Sequence, residues 1–270
     1  MKKIITLLLT VLCVLSLCAC SKAKDEKTIS VGCSPTPHAE ILAKAKEILA
    51  QDGWTLDIVE YEDYVLPITG TEEGELDANY FAHVPYIDNF NAENGTNQVV
   101  VSKVHYEPFG IYPGKKSSLS DLVDGDAVII PNDGSNETRA LLLLQDNGLI
   151  TLPEGTSADS LVTKNDIVSY NVNIEISEQE AAQIARQKDG AALVVLNGNY
   201  ALAAGLNVAK DSIAFEKADS SAAKTYVNVL AVKAGNENNE GIKALAKVLE
   251  SKEIADFIES TYEGAVIPFN

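Results

Sequence analysis

Residues 125–148 read GDAVIIPNDGSNETRALLLLQDNG. The apolar, β-rich run AVII gives way to polar PNDGSN. A leucine-rich helical stretch follows and reaches Gly148, a residue type that stops helices in a left-handed turn. A strand feeding straight into a helix is half of a βαβ unit, and the same pattern recurs on both sides. Upstream, TISVGC (Thr28–Cys33), WTLDIVEY, GELDANYF and NQVVVSKV read as strands. An amphipathic helix carrying Ile41, Leu42, Ala45, Ile48 and Leu49 follows the first, and YIDNFNAEN reads as a helix before the last. Downstream come the strand VNIEI, the helix SEQEAAQIARQ, the strand AALVVLNG and a short helix around Ala201. Helices over Glu237–Glu250 and Lys252–Tyr262 end the chain. This alternation predicts an α/β fold with mainly parallel sheets.

Two stretches break the rhythm and read as connectors: HYEPFGIYPGKKSS (His105–Ser118) and KADSSAAKTYVNVLAV (Lys217–Val232). They divide the chain into a discontinuous lobe I (28–110 plus 228–270) and a lobe II (111–227). Two interlobe crossings put a cleft between the lobes, a common place for a small ligand.

The N-terminus predicts where such a protein works. Residues 1–19, MKKIITLLLTVLCVLSLCA, have the basic start, apolar run and small-residue exit of an export signal. The apolar run is about 14 residues, short of the roughly 20 a membrane span needs. LCAC at Leu17–Cys20 resembles a bacterial lipobox, so Cys20 is expected to carry lipid, with residues 20–27 as a polar tether. A plain cleaved signal is the alternative. Of four cysteines only Cys33 then remains in the folded part, so no internal disulfide is expected. The formal net charge is −18, or −20 once Lys2 and Lys3 leave with the signal. That surface argues against nucleic acid and against anionic lipid headgroups, so membrane contact is expected through the lipid alone.

Of the 21 Lys and Arg residues only two are arginine, Arg139 and Arg186. What lysine cannot supply is a planar fork holding a carboxylate by two parallel hydrogen bonds. Arg139 falls at the start of the helix in the quoted stretch, at the C-terminal edge of a strand, where open α/β sheets bind ligands. The helix N-terminus adds to that anion site. A structural alternative pairs Arg139 with Glu137 or Asp133 on the helix surface; Arg186, three residues from Asp189, reads as structural. Asn136, Asn197, Asn199 and Asn228 stand near strand ends or inside an apolar run, where an amide needs partners. Arginine, amides and aromatics together suit an amino acid with an apolar side chain. For Asn136 and Asn199 a capping or turn role is an equal alternative.

NYFAHVPY (Asn79–Tyr86) concentrates three rings and a histidine in a chain that is 6% aromatic. It fits neither strand alternation nor helical spacing. The three histidines, His38, His83 and His105, have no metal-ligand spacing, and no nucleophile elbow, zinc-protease motif, P-loop or dinucleotide fingerprint is present. No metal, cofactor or enzyme activity is expected. A metal-binding receptor and an extracytoplasmic hydrolase remain the alternatives.

Taken with VGCSPTPHAEIL, DYVLPI, GELDANYFAHVPYIDNFN, VHYEPFGIYP, LNGNYALAAGLNVAKD and GAVIPF, these motifs resemble the methionine-binding lipoproteins of bacterial ABC importers, the NlpA family. The resemblance runs from about Ile29 to Phe269 and implies a two-lobed periplasmic-binding-protein fold of type II-like form. It implies a monomer anchored on the extracytoplasmic face of the cell membrane, L-methionine as ligand, and a permease with its ATPase as partners. Another small apolar amino acid or a methionine-containing dipeptide is the alternative ligand. Among residues, it implies that Tyr80, Phe81, His83 and Tyr86 line the side-chain pocket, with His105 and Phe109 nearby. Arg139 would hold the carboxylate, and Asn197 and Asn228 the amino-acid backbone.

Overall fold

The computed structural model describes residues 27–217 and 224–269. The leader, Cys20 and the tether through residue 26 lie outside the described residues. The chain runs β1 (Thr28–Cys33), α1 (Glu40–Leu49), β2 (Thr55–Glu60), α2 (Val65–Glu73), β3 (Ala78–His83), α3 (Val84–Asn94) and β4 (Gln98–Tyr106). It then crosses to β5 (Gly110–Pro113), β6 (Ala127–Pro131), α4 (Gly134–Asp146) and a two-stranded ribbon, β7 (Ile150–Thr151) with β8 (Ser169–Tyr170). Next come β9 (Glu175–Gln179), α5 (Ala181–Gln187), β10 (Leu193–Leu196), α6 (Gly198–Ala203), α7 (Val208–Asp211) and β11 (Ala214–Phe215). A second crossing leads back to β12 (Val227–Lys233), α8 (Glu240–Leu249), α9 (Lys252–Tyr262) and β13 (Ile267–Pro268).

These strands build two sheets, ordered β13-β4-β12-β3-β1-β2 and β11-β5-β10-β6-β9. Each sheet with its helices forms one lobe. Both sheets are mixed, which corrects the expectation of mainly parallel ones. The βα units give the parallel pairs β1 with β2 and β3, and β6 with β9 and β10. The strands that follow the crossings enter antiparallel: β5 beside β10 and β11, β12 beside β3 and β4. Both segments read as connectors thus carry interior strands. β5 is only four residues, bracketed by Gly110 and Pro113. β12 has no alternation because six of its seven residues are buried, as both faces are covered. The strand read as VNIEI lies later, at Glu175–Gln179, and delays α5 to Ala181. Its polar sequence suits the sheet edge it occupies.

In the first lobe, α1, α8 and α9 cover one face with Ile41, Leu42, Leu245, Leu249 and Ile258, packed on Val31, Tyr80 and Leu230. On the other face Ile68 of α2 and Ile87 and Phe90 of α3 pack with Phe81, Val229 and Ala231. Adjacent residues of β3 therefore serve opposite faces, as a period of two requires. The second lobe is centred on Ile111, Val128, Ile130, Leu141, Leu144 and Val195. Each such side chain contributes about 1.5–3 kcal/mol when fully buried. At the start of α4 the Asp133 carboxylate accepts the Asn136 N–H at 3.0 Å. At its far end Gly148 adopts φ +72°, the left-handed turn that ends the helix.

Candidate ligand site between the lobes

The β3–α3 junction explains the NYFAHVPY cluster. His83 ends β3 and caps α3, its Nδ1 accepting the Tyr86 N–H at 3.1 Å, while Pro85 occupies the first turn, where no N–H is missed. The strand puts Phe81 on the cleft side of the sheet, and the first turn of the helix returns Tyr86 beside it, centroids 5.9 Å apart. Tyr64, just before α2, completes the ring wall at 5.5 Å from both.

With His83 Nδ1 committed as acceptor, the proton sits on Nε2, which donates across the cleft to Asn136 Oδ1 at 3.0 Å. Burial, with the charge of Arg139 adding, lowers the His83 pKa to about 3, consistent with a neutral ring. Asn136 Oδ1 also accepts from Asn197 Nδ2 at 2.8 Å, and Asn136 Nδ2 donates to Asp133. This orients Asn197: its amide nitrogen faces Asn136, and its Oδ1 is buried with no partner among the described residues. Asn228, on β12, is fixed in the opposite sense. Its Oδ1 meets His38 Nε2 at 3.0 Å, so its NH₂ is the group left for a ligand.

Arg139 is 3% exposed and pairs with neither Glu137 nor Asp133. Its Nε and Nη2 donate to Glu216 Oε1 and Oε2 at 2.9 and 2.6 Å, and Nη2 also donates to the Glu107 carbonyl at 2.9 Å. The guanidinium lies 4.3 Å from the Tyr226 ring centroid and 4.8 Å from that of Phe109. Burial opposes its charge, but Glu216 more than offsets this and holds the pKa above the ordinary arginine value.

Glu107 sits in the first crossing and takes a proton donor from each lobe. His105 Nε2 donates to its Oε1 at 2.8 Å, with Tyr80 OH bonded to His105 Nδ1, and His38 Nε2 lies 3.4 Å away. From the second lobe the Asn199 backbone N–H bonds the same carboxylate. Burial, only partly offset by His38 and Arg139, raises its pKa. The chain at Gly198 passes so close that a Cβ there would stand 2.6 Å from the Cβ of Glu107. One atom each from His38, His105 and Glu107 fall within 4.8 Å of one another, a donor set able to hold a metal ion. The two histidines are buried, which lowers their pKa values to about 4 and 3. Their hydrogen bonds to Glu107 and Asn228 already account for the grouping. Tyr64 OH to Asn199 Oδ1 at 2.6 Å and Tyr200 OH to the Glu62 carbonyl at 3.0 Å add further bonds between the lobes.

These groups enclose a small cavity between the lobes. The structure brings Phe81, His83, Tyr86, Asn136, Arg139, Asn197 and Asn228 together around it, and Tyr64, Glu107 and Asn199 join them. Three expected residues stand behind the wall instead. Tyr80 points to the opposite face of β3 and packs against α1. His105 acts through Glu107. Phe109 belongs to the second-lobe core and backs the guanidinium. Cys20 lies outside the described residues. The sequence offered some signal for the residues it did not single out. Tyr64 and Glu107 fall in the quoted motifs DYVLPI and VHYEPFGIYP, and Glu107 is the only charge in its apolar stretch YEPFGIY. Nothing local marks Glu216.

Residues 29–270 match the family model described as NlpA lipoprotein. The chain belongs to the NlpA lipoprotein family. It is 38% identical to the methionine-binding lipoprotein MetQ of Bacillus subtilis over 99% of both chains. Among solved structures, a lipoprotein of Ruminococcus gnavus is 58% identical with a TM-score of 0.89, covering 90% of this chain and 100% of its own. A nutrient-binding protein of Burkholderia cenocepacia, solved bound to methionine, is 36% identical with a TM-score of 0.84 over 90% and 100%. The NlpA fold, a two-lobed binding protein and not an enzyme scaffold, is therefore that of this chain.

Proposed function

We propose that this protein captures free L-methionine outside the cytoplasm and delivers it to an ABC permease driven by a cytoplasmic ATPase, while Cys20 anchors it to the membrane by lipid. The single observation that carries the reading is the two-ended cavity. One end is a wall of rings; the other holds an arginine edge and two amides whose orientations are set by their neighbours. Arg139 Nη1 and Asn228 Nδ2 serve the ligand carboxylate. Asn197 Oδ1 accepts from the ammonium, and Glu107 supplies the countercharge nearby. Tyr64, Phe81 and Tyr86 take the thioether, each sulfur–ring contact contributing about 0.3–1.5 kcal/mol. The methionine bound in the Burkholderia cenocepacia relative supports the same ligand class here.

Closure requires a ligand that touches both lobes, since equal affinity for the open and closed forms shifts nothing. Arg139 and Asn197 come from the second lobe and the rings from the first. Titration calorimetry of the purified protein with L-methionine, D-methionine, norleucine and a methionyl dipeptide tests the reading. One-to-one binding, strongest for L-methionine, is expected. Saturation by none of the four would overturn it.

A further inference from the structure

Arg139 reaches the cavity with most of its hydrogen-bonding capacity already assigned. Its Nε–Nη2 edge is held by both oxygens of Glu216, and the remaining Nη2 proton goes to the Glu107 carbonyl. Tyr226 and Phe109 hold the guanidinium from their ring faces. Among the described residues Nη1 has no hydrogen-bond partner, and Arg139 lines the cavity. Glu216 is therefore what decides which edge of the fork a ligand meets.

Glu216 also stands at a mechanically distinctive place. It follows β11 directly, at the start of the second crossing. Its Oε2 accepts from Tyr106 OH at 2.5 Å and from the Phe109 N–H at 3.0 Å, and its own N–H donates to the Phe109 carbonyl at 3.0 Å. Tyr106 ends β4 and Phe109 precedes β5, so both flank the first crossing. One buried carboxylate thus joins the two crossings to each other and to the arginine that faces the ligand. Its charge also cancels that of Arg139, leaving an incoming carboxylate to meet directed N–H groups and little net field.

We propose that Glu216 is a positioning residue. It clamps Arg139 by one edge, presents Nη1 to the ligand carboxylate, and makes that presentation part of the closed interlobe geometry. The proposal rests on the reading that Arg139 binds a carboxylate. It predicts that Glu216 matters for one end of the ligand only.

The test compares L-methionine with L-methioninamide, which lacks the carboxylate, by calorimetry on wild-type protein, Glu216→Gln, Glu216→Asp and Phe81→Leu. In Glu216→Gln an NH₂ faces a guanidinium N–H, which displaces the fork, so methionine affinity should fall about 10- to 100-fold, the range of a charge-assisted bond. Methioninamide affinity should change several-fold less, since its neutral carbonyl oxygen accepts the same N–H without the carboxylate's charge. Glu216→Asp keeps the charge but retracts it by one methylene, and should give a smaller loss with the same selectivity. It also keeps the test open should the glutamine variant fail to fold. Phe81→Leu should weaken both ligands alike. Equal losses of both ligands in the Glu216 variants, or no loss of either, would overturn the positioning role while leaving methionine binding intact. Wild-type protein that binds neither ligand would overturn the functional reading and this proposal with it.

Discussion

On the first-lobe side of the cleft Tyr64, Phe81 and Tyr86 pack ring against ring, whereas on the second-lobe side Asn136 is fully hydrogen-bonded, and Arg139 and Asn197 keep a donor and an acceptor over. The ring wall is a surface: it rewards an apolar shape of about the right size and sets no condition on protons. The polar wall is a set of directions, each fixed by a neighbouring side chain. Charge-assisted bonds of about 1.5–3 kcal/mol each let the polar wall decide whether a ligand binds. Ring contacts of about 0.3–1.5 kcal/mol let the other wall decide which side chain is preferred. All three histidines belong to the first-lobe side, where burial keeps them neutral.

The sharpest way to break this contrast is at Arg139. Arg139→Ala should weaken methionine binding by about 2–5 kcal/mol, because it removes the ligand's partner and leaves the buried Glu216 without its cation. A calorimetric loss of less than about tenfold, or 1.4 kcal/mol, would show that the polar wall does not dominate.

Acid should expose the first-lobe side next. Burial lowers His38 from 6.5 to about 4, and His83 and His105 from 6.5 to about 3. Their folded pKa values lie below the unfolded one, so their contribution is complete above about 6.5 and is lost as pH falls toward 3–4. At pH 5.5 each costs on the order of 1 kcal/mol of stability relative to pH 7.5. Glu137, which burial raises to about 7, acts in the opposite sense across this window and offsets part of that loss. Urea midpoints at the two pH values should fall on acidification, and His83→Gln should flatten the dependence. A midpoint that does not move would mean the histidines are not neutral in the fold.

The smallest effect is expected at the ring wall. Phe81→Leu keeps an apolar surface but removes a ring from beside the thioether, which should lower methionine affinity by about 0.3–1.5 kcal/mol. The preference for methionine over norleucine should shrink with it. An unchanged ratio would reduce the aromatic wall to generic apolar packing.

The sequence showed α1 plainly because its apolar positions recur with one period, and the β6–α4 unit because Asp133 caps the helix and Gly148 stops it. It hid α2, where Pro67 and Gly70 fall inside the helix, and it hid β5 and β12, which are too short or too fully buried to alternate. Arg139 stood out through the scarcity of arginine, not through any motif. Its partner was not legible, since Glu216 is 77 residues away and meets it only where the two crossings run side by side. The same holds for His38, which faces Glu107 only once β1 and β4 share a sheet. Local pattern reveals elements and odd residues, while pairings across a crossing depend on topology.

The bonds His83–Asn136, Tyr64–Asn199 and Tyr200–Glu62 span the cleft without involving any ligand atom. They act as latches, and a latch slows departure as well as entry. Cargo held behind them leaves no faster than the latches spring, so dwell time reflects how often the shell opens more than how tightly the cargo is gripped. A recipient that wants prompt unloading must work on the outside of the shell, prising apart groups that never touch what it is collecting.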